Sequence, residues 1–253
     1  MRRNEPRRSE ESLVRAERAV LLGGIATITT LSWLYVIPTA GKAAGRPAAL
    51  TSDLPVIAPM WVAMMIGMMV PTTGPMVLRY AAVSRRIRGG HIARVFAFVL
   101  TYLGLWSVVS VVGAAIQLIL RAAGLVTDLG GSASTALSAS VLAVAGAYQL
   151  SPLKRACLRR CRSPLAFLVA EWRPGLVGAL RLGVRHGVEC VLCCWALMAL
   201  VFVVGAMNLL WMAGLMLVMV AEKALPAGER MTTVVGLALI AWAAFLLGRA
   251  FWA

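Results

Sequence analysis

The chain has 253 residues, of which 60% are apolar and only 14% are charged, and its mean hydropathy is +0.83. A soluble globule of this length needs roughly a quarter of its residues charged to cover its surface, so the composition excludes that class. The 25 Lys and Arg residues outnumber the 10 Asp and Glu residues, but they lie in short clusters between apolar runs. A nucleic-acid-binding protein would carry them along one polar face, so that class is excluded as well.

Apolar stretches of membrane-spanning length recur along the chain. A helix of about 17 to 25 residues crosses the ~30 Å hydrocarbon core of a bilayer. Seven such stretches are predicted, at 19–37, 56–78, 95–120, 133–150, 188–205, 207–221 and 232–248. Because the sixth is short and suits a re-entrant segment, six spans are the alternative. The predicted fold class is therefore an all-α, polytopic transmembrane helical bundle.

The distribution of cations predicts the orientation of this bundle. If the N-terminus is cytoplasmic, most of the 25 Lys and Arg residues fall in inner segments, as the positive-inside rule requires. We expect a disordered cytoplasmic tail of mixed charge at 1–18 and a single transmembrane domain at 19–250. Within that domain, 151–185 is expected to form a basic cytoplasmic loop. The expected location is the cytoplasmic membrane, with anionic lipid headgroups as partners of the basic segments and no nucleic acid.

The second apolar stretch carries a dense group of methionines. At helical spacing Met60, Met64 and Met68 form one stripe, and Met65 and Met69 form its neighbour. Thioether sulfur is a soft ligand that suits Cu(I). The sixth stretch repeats the pattern with Met207, Met212, Met216 and Met219. The alternative interpretation is that these methionines are flexible core packing.

A proline-rich segment at 71–75 follows the methionines. Its two prolines and one glycine predict a break in the helix inside the membrane. Backbone carbonyls freed by such a break need partners, so we expect this segment to border the same cavity as the candidate ligands. A simple proline kink is the alternative.

The basic loop contains a short predicted helix with two cysteines. Ser151 and Ser163, each followed by a proline, mark its start and its end. Cys157 and Cys161 then share one face of a cytoplasmic amphipathic helix. Cytoplasmic thiols stay reduced, and the surrounding Lys and Arg are expected to lower the thiol pKa, which favours metal capture or a redox role. The alternative is a surface helix with this face turned towards lipid.

The densest candidate site lies at the start of the fifth stretch. His186, Cys190 and Cys194 are spaced so that they share one helix face, with Cys193 and Glu189 on its flank. Imidazole and thiolate together suit copper and zinc, and thiolate favours Cu(I). The alternative is that cysteine acts here as a small hydrophobic residue, with His186 at the membrane interface.

A functional site requires these faces to converge, because one helix face supplies too few ligands for a metal. The His186 face should therefore turn into the bundle and approach Met68, Met69 or Met76. Met212, Met216 and Met219 of the sixth stretch should line the same site. Sulfur atoms of the second and fifth stretches more than about 10 Å apart would contradict this, since metal–sulfur bonds are ~2.3 Å long.

Polar residues inside apolar stretches are costly and are candidate functional groups. Asn208 is expected to cap the sixth stretch. Glu222, at the other end of that stretch, is expected to pair with Lys223 or with a loop arginine.

Taken together, these motifs resemble those of a known family. The combined pattern is Trp61…Met64-Met65-x-x-Met68-Met69-x-Pro71, Tyr148-Gln149-Leu150-x-Pro152-Leu153-Lys154-x-x-Cys157, Arg185-His186-Gly187…Cys193-Cys194-Trp195 and Met207-Asn208-Leu209-x-Trp211-Met212…Glu222-Lys223. Over roughly residues 55–225 it is similar to a bacterial family described as predicted metal-binding integral membrane proteins. The resemblance implies a bacterial membrane location and metal binding, and it implies no particular reaction.

The leading hypothesis is a membrane protein that binds a soft metal and transports or delivers it. Copper, as Cu(I), is the first candidate for this metal and zinc is the second. The candidate ligands are His186, Cys190, Cys193, Cys194, Cys157, Cys161, Met64, Met65, Met68 and Met69. A second hypothesis is a membrane redox enzyme, or a subunit of one, with haem or copper. Of these two cofactors, haem with His186 as its axial ligand is the less favoured, since the chain has only 2 His. A third is a non-catalytic subunit that helps another membrane complex acquire its metal.

Overall fold

The structure, a computed structural model, describes residues 5–44, 54–87, 89–127, 131–206 and 208–252. These ranges form an all-α fold. Its helices are α1 (Glu5–Ala44), α2 (Leu54–Arg85), α3 (His91–Ala122), α4 (Thr135–Leu150), α5 (Pro152–Arg162), α6 (Pro164–Glu171), α7 (Gly175–Ala199), α8 (Val201–Val204), α9 (Leu209–Ala224) and α10 (Gly228–Trp252).

Five of these helical segments are long and apolar enough to cross a membrane: most of α1, α2, α3, α7 continued by α8, and α10. Helices α4 and α5 reach that length only together, with a bend of 63° between them, so a sixth span depends on counting them as one. Helix α9, which covers most of the predicted sixth stretch, has 16 residues. The all-α fold class is confirmed, while the count of seven spans stays a prediction.

Two helix boundaries predicted from local capping signals are confirmed. The Ser151 hydroxyl accepts a hydrogen bond from the Lys154 amide at 3.1 Å, and α5 runs from the next residue to Arg162. The Asn208 side chain accepts one from the Trp211 amide at 3.1 Å and so caps α9. Both side chains satisfy an amide that has no partner within its own helix.

The predicted break at 71–75 is wrong, because α2 continues through Pro71 and Pro75 to Arg85. Hydroxyl groups support the turn that contains Pro71. Thr72 donates to the Met69 carbonyl at 2.9 Å, and Tyr102 of α3 donates to the same carbonyl at 3.2 Å. Both bonds lie within the turn that contains Pro71, and one of them comes from a neighbouring helix.

Two helices begin earlier than their apolar stretches. Helix α1 already begins at Glu5, inside the segment predicted as a tail, and the first four residues lie outside the described part. Helix α7 begins at Gly175, inside the predicted 151–185 loop. The polar residues that end an apolar stretch therefore do not end the helix.

The packing places a sulfur-rich core between α2, α7 and α9. Helix α2 packs between α1 and α3, α3 packs against α7, and α9 packs against α2 and α10. Helices α4 and α10 approach closely at a glycine of each helix: a Cβ added at Gly146 would lie 2.8 Å from the Gly236 carbonyl oxygen, and one added at Gly236 would lie 2.9 Å from the Leu150 side chain. Small residues are the usual means of close helix packing in a membrane.

Candidate metal site

The cysteine face of α7 turns into the bundle. Cys190 and Cys194 are each 1% exposed, and His186 is also buried. The Cys194 thiol lies 3.8 Å from the sulfur of Met69 on α2. This distance is far inside the ~10 Å limit set by metal–sulfur bond lengths. The predicted approach of the second and fifth stretches is therefore confirmed as geometry, while metal ligation by these residues stays a prediction.

The Cys190 sulfur lies beside polar groups from two other helices. The Lys223 ammonium of α9 is 3.1 Å from Cys190 Sγ and also donates to the Thr72 hydroxyl at 3.1 Å. The Tyr102 hydroxyl is 3.4 Å from the same sulfur. An ammonium at this distance in a poorly solvated site stabilises negative charge on the sulfur.

His186 is held beside Cys190 by α2 and by aromatic rings. Its Nε2 is 3.0 Å from the Thr73 hydroxyl. The rings of Tyr102, Phe98 and Phe167 lie with their centroids 5.6, 5.9 and 5.7 Å from the imidazole centroid. Thr72 and Thr73 both contact the site, so the 71–75 segment borders it as predicted, although it remains helical.

The other predicted methionine ligands are buried but occupy different surroundings. Met64 and Met68 line a crevice with Met212, between α1, α2 and α9, that is too narrow for a water molecule. Met65 packs in the main apolar core, as does Met219. Met216 is partly buried against that core, and Met207 lies outside the described residues. Among the predicted thioethers that the structure describes, Met69 is the one whose sulfur contacts a thiol of α7.

Cys193 faces a different neighbour from Cys190 and Cys194. It packs against Cys157 and Leu158 of α5, with Cys161 beside them. The cysteine face of α5 therefore turns towards α7 and not towards lipid. The expected lowering of the thiol pKa by nearby cations is wrong for Cys157, because burial raises the pKa of this thiol.

A buried ion pair connects α5 to α9 behind these thiols. Lys154 is fully buried and donates to the Glu222 carboxylate at 2.7 Å and to the Cys193 carbonyl at 2.7 Å. Gln149 donates to the other Glu222 oxygen at 2.6 Å. The prediction that Glu222 pairs with Lys223 or with a loop arginine is therefore wrong. Neighbouring residues on a helix do not face each other, so Lys223 reaches Cys190 instead.

Sequence reasoning missed several residues of this arrangement. Lys223 carried a signal, since a cation at the end of an apolar stretch is costly unless it has a partner. Tyr102 carried none, because tyrosine is common in apolar helices. Among the described residues, no group of three or more His, Cys, Asp and Glu side chains is arranged to hold a metal ion. The structure does bring together a thiol and a thioether, with a second thiol paired to an ammonium.

The buried contact between a thiol and a thioether of two helices contains the soft sulfur donors that Cu(I) prefers. A family model described as the PpoB2 copper chaperone matches residues 58–246, which is most of the chain. The chain belongs to this copper chaperone family. No curated protein and no solved structure matches it. The match supports a copper-related function and agrees with the metal-related family predicted from the motifs.

Proposed function

We propose that this protein is an integral membrane protein that binds Cu(I) inside its helical bundle and delivers it to an acceptor. The ligands are the thiols of Cys190 and Cys194 and the thioether of Met69, with His186 beside them. Its location is the bacterial cytoplasmic membrane with the N-terminus inside. The five long apolar helices and the clustered cations support this location.

The observation that carries the proposal is the 3.8 Å contact between Cys194 Sγ and Met69 Sδ. It joins two helices whose sulfur-rich faces are both buried. Cys190 lies one helical turn before Cys194 on the same face, so a metal at the contact is within reach of both thiols. Thiolate and thioether donors select Cu(I) over harder ions.

The charge of the site also suits Cu(I). A Cu(I) ion bound by two thiolates carries a net negative charge, which is costly to bury without a partner. The Lys223 ammonium, 3.1 Å from Cys190 Sγ, supplies that partner. Lys223 is therefore a positioning and charge-compensating residue and not a ligand, since an ammonium has no lone pair to offer.

Delivery is supported by the family, whose description is a copper chaperone. Thioether sulfur is a weaker ligand than thiolate, so Met69 helps to hold Cu(I) while leaving it free to move to other thiols. Anionic lipids and an acceptor protein are the partners that this function requires.

The test is the copper content of detergent-purified protein loaded anaerobically with Cu(I). The C190S/C194S double variant is expected to lose one Cu(I) per chain. The matched control is A196S, which places a serine at another buried position of α7 and removes no thiol. If C190S/C194S is as well folded as A196S and its copper content is unchanged, the proposal is refuted.

A further inference from the structure

We propose that the protein carries a second Cu(I) site, formed by Cys161 of α5 and Cys193 of α7, from which copper leaves for its acceptor. This inference rests on the proposed function, since it gives the copper held by Cys190 and Cys194 a route to the surface. The second site is separate because its thiols lie between α5 and α7, whereas Cys194 contacts α2.

The thiols of the second site lie in one packed cluster. Cys161 packs against the buried group formed by Cys193, Cys157 and Leu158. The Cys161 thiol also lies 3.8 Å from the Glu189 carbonyl oxygen of α7. Cys157 packs against Cys193 from the preceding turn of α5 and adds a third sulfur to the cluster. A pair of adjoining thiols is a soft donor set that selects Cu(I).

Two polar contacts hold α5 against α7 on either side of these thiols. Lys154, near the start of α5, donates to the Cys193 carbonyl at 2.7 Å. Arg160, near its end, pairs with the Glu189 carboxylate at 3.1 Å. Lys154 is fully buried, so its contact is the stronger constraint. The spacing of the two thiols is thus fixed by contacts that involve neither sulfur, as a preorganised ligand pair requires.

Exposure distinguishes the two sites. Cys161 is partly exposed, whereas the other four cysteines, Cys157, Cys190, Cys193 and Cys194, are buried. An acceptor thiol can therefore approach the second site, but it cannot reach the first without movement of the bundle. Cys193 adjoins Cys194 in the chain and follows Cys190 by about one helical turn, so copper passes between the sites around α7.

The transfer between sites is a ligand exchange without redox change. A bond from Cys193 sulfur to Cu(I) forms, a bond from Cys194 or Cys190 sulfur breaks, and the same exchange then brings in Cys161. Each thiol that binds releases its proton to solvent, and each thiol that lets go takes one up. Copper remains Cu(I) throughout, and no oxidant or reductant is consumed.

The first test counts Cu(I) ions in anaerobically loaded, detergent-purified protein. Wild type is expected to bind two per chain, and C161S/C193S and C190S/C194S one each. The control R159Q removes an exposed cation of α5 and keeps both sites. If C161S/C193S binds as much as R159Q, the second site is overturned while the proposed function stands. If C190S/C194S binds as much as wild type, the first site fails instead.

The second test measures how fast each remaining ion is removed by bathocuproine disulfonate, a bulky anionic Cu(I) chelator. Copper left in C190S/C194S sits beside the partly exposed Cys161 and is expected to leave faster than copper left in C161S/C193S. Equal rates would overturn the exit role of the second site.

A third measurement needs no substitution and so cannot fail through misfolding. Maleimide labelling of Cys161 in the wild-type chain is followed by mass spectrometry of its peptide, with and without Cu(I). Bound copper is expected to slow this labelling. Labelling at the same rate under both conditions would overturn the proposal.

Discussion

The Cys194 thiol and the Met69 thioether approach to 3.8 Å although 125 residues separate them in the chain. Cys194 at the same time donates to the Cys190 carbonyl at 2.9 Å, so its thiol proton is satisfied within α7. The approach of the two sulfur atoms is therefore not imposed by a strong hydrogen bond between α2 and α7. A soft metal that enters between the two sulfur atoms finds a donor on each helix.

Met69→Leu is expected to weaken Cu(I) binding by about tenfold, which corresponds to ~1.4 kcal/mol. Leucine conserves the volume of methionine and leaves the core packed, but it offers no sulfur. Competition with a Cu(I) chelator measures the change. The control is Met198→Leu, at another buried position of the same core. Equal affinities in the two variants would show that Met69 packs and does not bind.

Lys223→Gln is expected to lower the affinity for Cu(I) by about tenfold as well. The amide retains a donor for the Thr72 hydroxyl, but the positive charge 3.1 Å from Cys190 Sγ is lost. The same chelator competition measures the effect, with R159Q as the control for loss of an exposed cation. An affinity equal to that of R159Q would contradict the role of Lys223 as charge partner.

Lys154→Met is expected to destabilise the fold by about 3 to 5 kcal/mol, because it leaves Glu222 charged and buried without its ion-pair partner. The two side chains are 0% and 2% exposed and lie 2.7 Å apart. Unfolding in mixed micelles with increasing SDS measures the loss. The K154M/E222L double variant removes both charges and is expected to be more stable than K154M. A double variant as unstable as K154M would show that the cost has another source.

The sequence located the sulfur-rich faces because thiols and thioethers at helical spacing are visible in one dimension. It did not reveal which neighbour each face meets. Cys193 and Cys194 are adjacent in the chain, yet one packs on α5 and the other contacts Met69. Lys223 reaches Cys190 only because of how α9 is rotated against α7, and rotation of one helix against another is set by packing.

Helix ends were predictable where a local side chain defines them. Ser151 and Asn208 cap their helices through bonds to amides three residues away, so a short segment contains the whole signal. The start of α7 was missed because the prediction followed hydropathy. Arg181 and Arg185 interrupt the apolar run but not the helix, since arginine is a good helix former.

Gly183→Ala is expected to destabilise the bundle by about 1 to 3 kcal/mol through overpacking. A Cβ at Gly183 of α7 would lie 2.6 Å from the Phe98 carbonyl oxygen of α3, a backbone atom that cannot turn aside. At Gly104 of α3 an added Cβ meets nothing within 4 Å. Gly104→Ala is therefore the matched control and is expected to be neutral or slightly stabilising, since alanine favours a helix interior over glycine. SDS-induced unfolding compares the two, and equal stabilities would contradict close packing of α3 on α7.

The orientation of the bundle is tested by cysteines introduced at the two ends of α3. Arg86 is exposed just after α2 ends, before α3 begins, and Thr127 is exposed beyond the other end of α3. Helix α3 is long and apolar enough to cross the membrane, so these two positions should lie on opposite sides of it. The cations around Arg86 predict that this side faces the cytoplasm. A membrane-impermeant maleimide applied to intact cells is expected to label Thr127→Cys, and to label Arg86→Cys only after permeabilisation.

The unmodified chain, with its five native cysteines, gives the background labelling for this experiment. Labelling of Arg86→Cys in intact cells, or protection of Thr127→Cys, would reverse the proposed topology.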